Sequence, residues 1–304
     1  MIRVVLVILG MIGLSFVPRT AAQDTTQLEI GGGKIDLIFS SAPSEPLRKL
    51  VLGWVTSSAR AVTVYYEKFP VSHLEIRLRF FEGRGVRGGR TTGWDGAATG
   101  IAVGRLSSAS DFTEDWVLTH EMVHLAFPSV PERHHWIEEG SATYVEPIAR
   151  ARAGDLTPEK VWGDLIEGLP KGLPQPADRG LDFTPTWGRT YWGGALFCLL
   201  ADIEIRKRTG NKRGLEDTLR AILKAGGTIE SDWPLTRTLE IGDRGTGVPV
   251  LRELYEKMKA TPAPVDLSAL WKELGVERRN GKTEFNGEAP LAAIRKAITQ
   301  PKDR

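Results

Sequence analysis

The sequence predicts an α+β fold, in which a lobe of mixed strands and helices is followed by a mainly helical lobe. Before about residue 150, segments alternate between the period of two that is typical of strands and the spacing of three or four that is typical of helices. After that point only the helical spacing persists. We therefore expect residues 23–150 to form an α/β lobe and residues 151–304 to form a helical lobe that completes a cleft. A chain of 304 residues with 41% hydrophobic residues can bury a substantial core.

The first 22 residues have the layout of a secretory signal peptide. Arg3 precedes an apolar run at 4–17, and small residues at 20–22 suit cleavage, so the mature chain would begin near Gln23. The run is short for a membrane span of about 20 residues, although an uncleaved anchor is the alternative. We expect an exported protein, periplasmic or extracellular, without stable membrane insertion once the signal is removed.

The charge balance and the cysteine content bear on function. Removing residues 1–22 takes away two arginines and no acid, which leaves 38 basic and 38 acidic residues. A near-neutral chain lacks the electrostatic basis for general binding of nucleic acid. Cys198 is the single cysteine, so no internal disulfide can form, and its apolar neighbours predict a buried thiol rather than a nucleophile.

The elements of the first lobe begin with a strand at 34–41 and a helix at 44–69 that has Pro46 near its start. Further strands are predicted at 74–81, which alternates apolar and basic residues, and at 96–106, which is small and apolar.

The glycines of "GRGVRG" (83–88) match the G-x-G-x-x-G pattern of dinucleotide-binding loops. Such a site also requires a helix to begin there, and the following residues have no helical pattern. We therefore expect a basic hairpin loop.

Two helices follow. The first is expected to be capped by Asp111 and Glu114 and to end at Pro128. The second should begin between Pro131 and Trp136 and carry "WIEEGSATYVEPIARARAG". Beyond residue 150, apolar spacing predicts helices at 155–169, 189–210, 215–227, 248–260, 266–275 and 290–299.

The first of these two helices contains "THEMVHLAF" (119–127) and with it an HExxH motif. Residues four apart lie on one helix face, so His120 and His124 can direct two imidazoles at one metal ion. Glu121 lies beside them, where its carboxylate can reach a metal-bound water. This pattern favours a zinc site, and catalytic zinc usually takes three protein ligands and keeps one open position.

The third ligand has to come from elsewhere in the chain. His134 and His135 follow Pro131 in what should be a turn, and we expect them to be surface or capping residues. Glu139 is the better candidate, because 14 residues separate it from His124, enough for a turn and an antiparallel return.

Taken with the HExxH motif, the segment "WIEEGSATY" (136–144) resembles the gluzincin zinc metallopeptidases. The similarity is greatest to the peptidase MA-like group, which is related to the M1 and M61 aminopeptidases. The resemblance implies a zincin-like catalytic domain with a small mixed sheet. In that family the glutamate of the E-G-x-A segment is the third ligand, which implies one zinc ion bound by His120, His124 and Glu139.

Two further acids lie near Glu139 in sequence. Glu138 would point about 100° away on a helix. Glu146 is two turns further on and shares the face of Glu139, where it could hydrogen-bond a ligand histidine. An exposed acid is the alternative interpretation of Glu146.

The family resemblance extends to two other segments. M1-type enzymes have a Y-x-K-G segment whose tyrosine supports the oxyanion, and "YWGG" (191–194) matches it apart from Gly193 in the lysine position. This implies that Tyr191 is an oxyanion donor, with a core aromatic as the alternative. The family also places an edge strand beside the zinc, for which "GAATGIAVG" (96–104) is the candidate. That stretch lacks the family's amine-binding glutamate, and Asp95 is the nearest acid, so endopeptidase activity stays open.

These observations predict a secreted zinc metallopeptidase that hydrolyses peptides or proteins with a zinc-activated water and Glu121 as general base. One alternative is a catalytically inactive, zinc-stabilised peptide-binding protein on the same scaffold. Another is a structural protein without a metal.

Overall fold

The computed structural model describes residues 24–300, so the predicted signal peptide at 1–22 lies outside the described residues. Its centre is a five-stranded sheet in the order β1-β2-β3-β5-β4. The strands are β1 (Asp24–Ile30), β2 (Gly33–Phe39), β3 (His73–Phe81), β4 (Val86–Thr92) and β5 (Ala97–Gly104). The three middle strands are parallel, and β1 and β4 are antiparallel at the two edges. The predicted α+β class and mixed sheet are confirmed.

The helix α1 (Glu45–Tyr66) connects the parallel strands β2 and β3. Pro46 occupies its first turn, where the missing backbone N–H costs nothing. Its apolar side chains recur at helical spacing and are buried, among them Val51, Val55 and Val62. The alternating side chains of β2 are buried as well, so helix and sheet share one core.

The edge strand differs from the prediction. The segment 96–104 forms β5, which lies inside the sheet between β3 and β4, and the expected loop supplies the edge strand β4 instead. The register shifts between Arg87 and Gly89, and Gly88 has a φ of 55°. A bulge with glycines breaks the period of two, which is why the sequence did not indicate a strand.

The helices near the motif also differ in detail. A short helix, α2 (Ala109–Thr113), takes the predicted cap, because Asp111 accepts from the backbone N–H of Ser108 in a capping box. The motif lies in the next helix, α3 (Val117–His124), at whose start Asp115 accepts from the Leu118 N–H at 3.2 Å. Asp115, two residues before the helix, therefore accepts from its first turn, rather than the pair Asp111 and Glu114.

The helix α4 (His135–Arg152) begins where it was predicted and continues past residue 150. The remaining helices are α5 (Pro158–Gly168), α6 (Gly194–Arg208), α7 (Leu215–Lys224), α8 (Leu235–Thr246), α9 (Val250–Met258), α10 (Leu267–Leu274) and α11 (Ala292–Thr299). The sequence did not indicate α8 or the hairpin of β6 (Val276–Arg279) and β7 (Lys282–Phe285). Within residues 24–300, no helix is both long and apolar enough to cross a bilayer.

α4 and α6 approach each other closely where two glycines meet. A Cβ atom on Gly140 would lie 2.3 Å from the Cα of Gly194, and one on Gly194 would lie 2.1 Å from the carbonyl oxygen of Trp136. Side chains are therefore excluded at this contact. The contact sets the distance between α4, which carries Glu139, and the turn before α6, which carries Tyr191.

Candidate metal centre

The centre is built from α3 and the first turns of α4. His120 and Glu121 on α3 are buried, with relative exposures of 3% and 8%. The chain then turns back at 125–134, and the backbone N–H of Val130 donates to Glu138 Oε1 at 2.8 Å. This hydrogen bond fastens the returning loop to α4, so that Glu139 faces the two histidines.

Three ligand atoms converge here. Glu139 Oε2 lies 3.1 Å from His120 Nε2 and 3.6 Å from His124 Nε2. One ligand atom from each residue lies within 4.8 Å of the others. Ligand atoms around a tetrahedral zinc ion, with bonds of about 2.0–2.1 Å, are about 3.3 Å apart. The donor set and its spacing therefore fit zinc.

The pKa shifts of His120 and Glu139 favour cation binding, whereas the shift of His124 favours a proton that a cation has to displace. Burial lowers the pKa of His120, which keeps its imidazole neutral. Burial also acts against the charged form of His124, but the hydrogen bond and charge of Glu139 outweigh it and raise that pKa. Burial opposes ionisation of Glu139, yet its contacts with His120, His124 and His135 hold the pKa of this carboxyl well below its usual range. Glu139 is therefore a carboxylate at neutral pH.

The side chain of Glu121 extends from α3 toward the edge strand β4. Thr91 Oγ1 on β4 donates to Glu121 Oε2 at 2.8 Å. Gly89 leaves the necessary room, since a Cβ there would lie 2.5 Å from Glu121 Cγ. The strand beside the centre is therefore β4 and not 96–104. β4 and the residues of the centre border a cavity of about 610 Å³, which Trp94 also lines.

Tyr191 borders the same cavity. It lies in a π-helical turn, Gly188–Gly193, that leads into α6, and such turns are frequent at functional sites. Its ring stacks on the ring of His120, with centroids 6.2 Å apart. Burial and the nearby charge of Glu139 raise the pKa of Tyr191 to about 12, so its hydroxyl remains a hydrogen-bond donor at neutral pH.

His134 was expected to be a surface or capping residue: it occupies the N-cap position of α4, but its side chain makes no capping hydrogen bond and is not at the surface. It is buried, and its Nδ1 lies 2.9 Å from Asp182 Oδ1. Asp182 also accepts from Trp136 Nε1 and from the hydroxyl of Tyr255, both at 2.8 Å. This network anchors the start of α4. Asp182 and Tyr255 are distant in sequence, so no local pattern could have indicated it.

His135 is partly exposed and contacts the predicted third ligand. Its Nδ1 lies 2.8 Å from Glu138 Oε2, and its Nε2 lies 3.3 Å from Glu139 Oε1. Glu138 and then Glu139 raise the pKa of His135 to about 10. The spacing of three and four residues from His135 to the two glutamates could have predicted these contacts, but only if α4 was known to begin at residue 135.

Neither interpretation of Glu146 was correct. Its side chain is buried, and Oε1 accepts from Arg150 Nη1 at 3.0 Å. Seven residues of helix separate Glu146 from Glu139 by about 10 Å along the axis, which keeps it from the histidines. The i, i+4 spacing to Arg150 was visible in the sequence and explains the observed pairing.

Comparison with known proteins gives a likeness in fold. Neither a protein-family model nor a curated protein matches the sequence. Among solved structures, an aminopeptidase N family protein from Idiomarina loihiensis is 15% identical, with a TM-score of 0.62 over 84% of this chain and 50% of its own. An M1 zinc metallopeptidase from Deinococcus radiodurans is 17% identical, with a TM-score of 0.51 over 80% of this chain and 54% of its own.

A further structure from Deinococcus radiodurans, of an M1 zinc metallopeptidase mutant bound to a Tyr-ser-ala substrate, matches at 15% identity. Its TM-score is 0.51, over 80% of this chain and 53% of its own. The chain therefore spans about half the length of these structures. At such identities the likeness establishes the fold alone: the described residues fold like part of an M1 zinc metallopeptidase.

Proposed function

We propose that the protein is an exported zinc metallopeptidase that binds one zinc ion through His120, His124 and Glu139. The observation that carries the proposal is the convergence of three ligand atoms within 4.8 Å of one another, with Glu121 beside them on α3. Two nitrogens and one oxygen are a usual ligand set for catalytic zinc, which keeps a further position for water or substrate.

The zinc ion, when bound, supplies the Lewis acidity that acidifies water and polarises a carbonyl group. The chain's own residues carry out the remaining steps. Glu121, oriented by Thr91, accepts the proton of the attacking water and delivers it to the leaving amine. Tyr191, whose raised pKa keeps it protonated, donates a hydrogen bond to the oxyanion as charge develops there.

The proposed substrate class is a peptide or protein. The outer edge of β4 borders the cavity at the centre, and an extended peptide can pair with such an edge as an added strand. The peptide bound in one of the structural relatives supports the same class. β4 carries Arg87 and Arg90 and no carboxylate, so the proposal covers peptide-bond hydrolysis without a requirement for a free amino terminus.

The proposal is tested with Glu121→Gln. We expect this variant to keep about one zinc per chain, measured by elemental analysis, and to cleave a mixed peptide library 100- to 10,000-fold more slowly, a loss of the order general-base catalysis contributes. Glu159→Gln makes the same change on an exposed part of α5 and is the matched control. Comparable turnover by Glu121→Gln would refute the role of Glu121.

Two other outcomes are informative. Zinc binding without cleavage of any peptide by the wild-type protein would favour the inactive binding protein. An unchanged melting temperature after complete zinc removal, together with no measurable zinc affinity, would favour a structural protein. Export is tested separately, by determining the amino terminus of protein released from cells, which we expect near Gln23.

A further inference from the structure

A second cavity, of about 990 Å³, lies beside the metal centre. Its walls come from α3, α4, α5 and the π-helical turn, rather than from β4. Trp116, His120 and Tyr191 border both this cavity and the one at β4. A substrate whose reacting carbonyl lies at the centre can therefore extend into both spaces.

We propose that this second cavity binds a bulky apolar side chain, preferentially an aromatic one, from the peptide residue on one side of the scissile bond. The inference rests on the proposed peptidase function, because it places the cleaved bond between Glu121 and Tyr191. It adds a substrate preference that the zinc-binding residues do not determine.

The size of the cavity suits such a ligand group. Ligand cavities in proteins measure about 300–1,000 Å³, so this one is at the upper end of the range. A single large aromatic side chain fits with room for neighbouring peptide backbone. The cavity is therefore suited to the largest side chains rather than to alanine or glycine.

The walls are rich in indole rings. Trp116 and Trp187 are 52% and 61% exposed, and Trp192 completes the same wall. Trp187 stacks on Tyr191 with centroids 6.0 Å apart, and Trp116 meets His120 edge-on at 5.4 Å. Aromatic surface left exposed beside a cleft is typical of a binding site, and aromatic rings attract one another beyond their buried area.

The charged side chains in this cavity are already engaged within residues 24–300. Glu114 is the exception, and it is exposed, as are Lys160, Glu167 and Lys171. The contacts are Glu146 with Arg150, Lys160 with Asp164, Asp155 with Arg60, Glu167 with Arg278, and Lys171 over the ring of Trp192. Most of the charges that could attract a charged substrate side chain are therefore already paired, which favours an uncharged one.

The test uses blocked peptides that differ only at the residue on either side of the cleaved bond, with Phe, Ala, Lys or Glu in that place. We expect kcat/KM for Phe to exceed that for the other three by about tenfold at one of the two positions. Trp187→Ala should reduce the ratio of Phe to Ala to about one. Because Trp187 is largely exposed, this variant should fold normally.

Trp94→Ala is the matched control, since Trp94 is 94% exposed and borders the cavity at β4 instead. We expect it to leave the ratio of Phe to Ala at that position unchanged. A ratio that survives Trp187→Ala, that falls in Trp94→Ala instead, or that favours Lys or Glu would overturn the proposal.

A binding measurement separates this inference from the peptidase function. Zinc-loaded Glu121→Gln protein is titrated with the Phe and Ala peptides, with and without Trp187→Ala. Absence of cleavage by the wild type, combined with about tenfold tighter binding of the Phe peptide that Trp187→Ala abolishes, would refute the peptidase and retain the cavity as a binding site. Cleavage without any side-chain preference would refute the cavity and retain the peptidase.

Discussion

Two clusters of buried polar and charged side chains, one between α3 and α4 and the other between α6 and α7, differ in what neutralises their carboxylates. We call them the histidine cluster, formed by His120, His124 and Glu139, and the arginine cluster, formed by Asp202, Arg206 and Glu216. In the arginine cluster, Arg206 donates to Asp202 at 2.7 Å and to both oxygens of Glu216 at 2.9 and 2.8 Å. Its positive charge is permanent.

The histidine cluster brings imidazoles to its carboxylate instead of a guanidinium. An imidazole can give up its proton and bind a metal ion through the freed nitrogen, whereas a guanidinium cannot. The comparison shows how the same fold uses buried charge in two ways. The arginine cluster is complete without a ligand and holds helices together, while the histidine cluster is the one that we propose to bind a cation.

The largest expected effect is the loss of zinc affinity when the histidine cluster is disrupted. Glu139→Ala should weaken zinc binding at least about 1000-fold, or about 4 kcal/mol, because two histidines alone form a poor site. The metal-free variant should lose little stability, since neutral imidazoles then border an open cavity. Competition with a zinc chelator and urea unfolding of the metal-free protein measure the two effects. Retained zinc affinity would contradict Glu139 as a ligand.

The arginine cluster should respond in the opposite way. Arg206→Met leaves the buried Asp202 without its ion-pair partner and leaves Glu216 with the longer contact to Arg152 at 3.5 Å. We expect a loss of about 3–5 kcal/mol in the free energy of unfolding. Zinc affinity of the folded variant should stay within about threefold. Arg208→Met, on the more exposed side of α6, is the control and should cost about 1 kcal/mol or less. Equal effects of the two substitutions would remove the contrast between the clusters.

Glu146 provides a pH-dependent test of buried charge on α4. Burial raises its pKa from 4.5 to about 7, although Arg150 opposes the shift. Between these values the native state keeps a proton that the unfolded chain has released, so this group lowers stability as the pH rises. Glu146→Gln cannot ionise and should gain stability over the wild type between pH 5 and 7.5, by up to about 3 kcal/mol.

The measurement is urea unfolding of the metal-free proteins across this pH range, so that metal binding does not contribute. An advantage of Glu146→Gln that does not change with pH would contradict the raised pKa.

The smallest effect concerns His135, which contacts the carboxylate of Glu139 from outside the ligand set. His135→Phe should lower zinc affinity by about 10- to 100-fold, because it removes a partner that orients the ligand. His73→Phe replaces an exposed histidine on β3 and should have no effect. Chelator competition measures both variants, and equal affinities would show that His135 does not position Glu139.

Helical periodicity accounts for what the sequence could predict. The positions of His120, Glu121 and His124 on one helix, and the return of a second helix with Glu139, depend on local spacing and on a motif. The long helices after residue 150 were visible for the same reason, since their apolar residues recur every three or four positions.

What the sequence could not reveal depends on contacts between distant segments. β4 is a strand because it pairs with β5, even though its glycines and bulge carry no strand signal. His134 is buried because Asp182 and Tyr255 reach it from another part of the chain. The second cavity combines α3, α5 and the π-helical turn, so no single segment indicates it.

The meeting of Gly140 with Gly194 has a consequence for how this chemistry can change over time. The proposed third ligand and the proposed oxyanion donor come from segments some fifty positions apart, yet only hydrogen atoms separate their backbones. A single methyl group at either glycine would push the two backbones apart and so increase the distance between Glu139 and Tyr191. At this contact, therefore, even the smallest side chain would slow the proposed reaction without touching any reacting group.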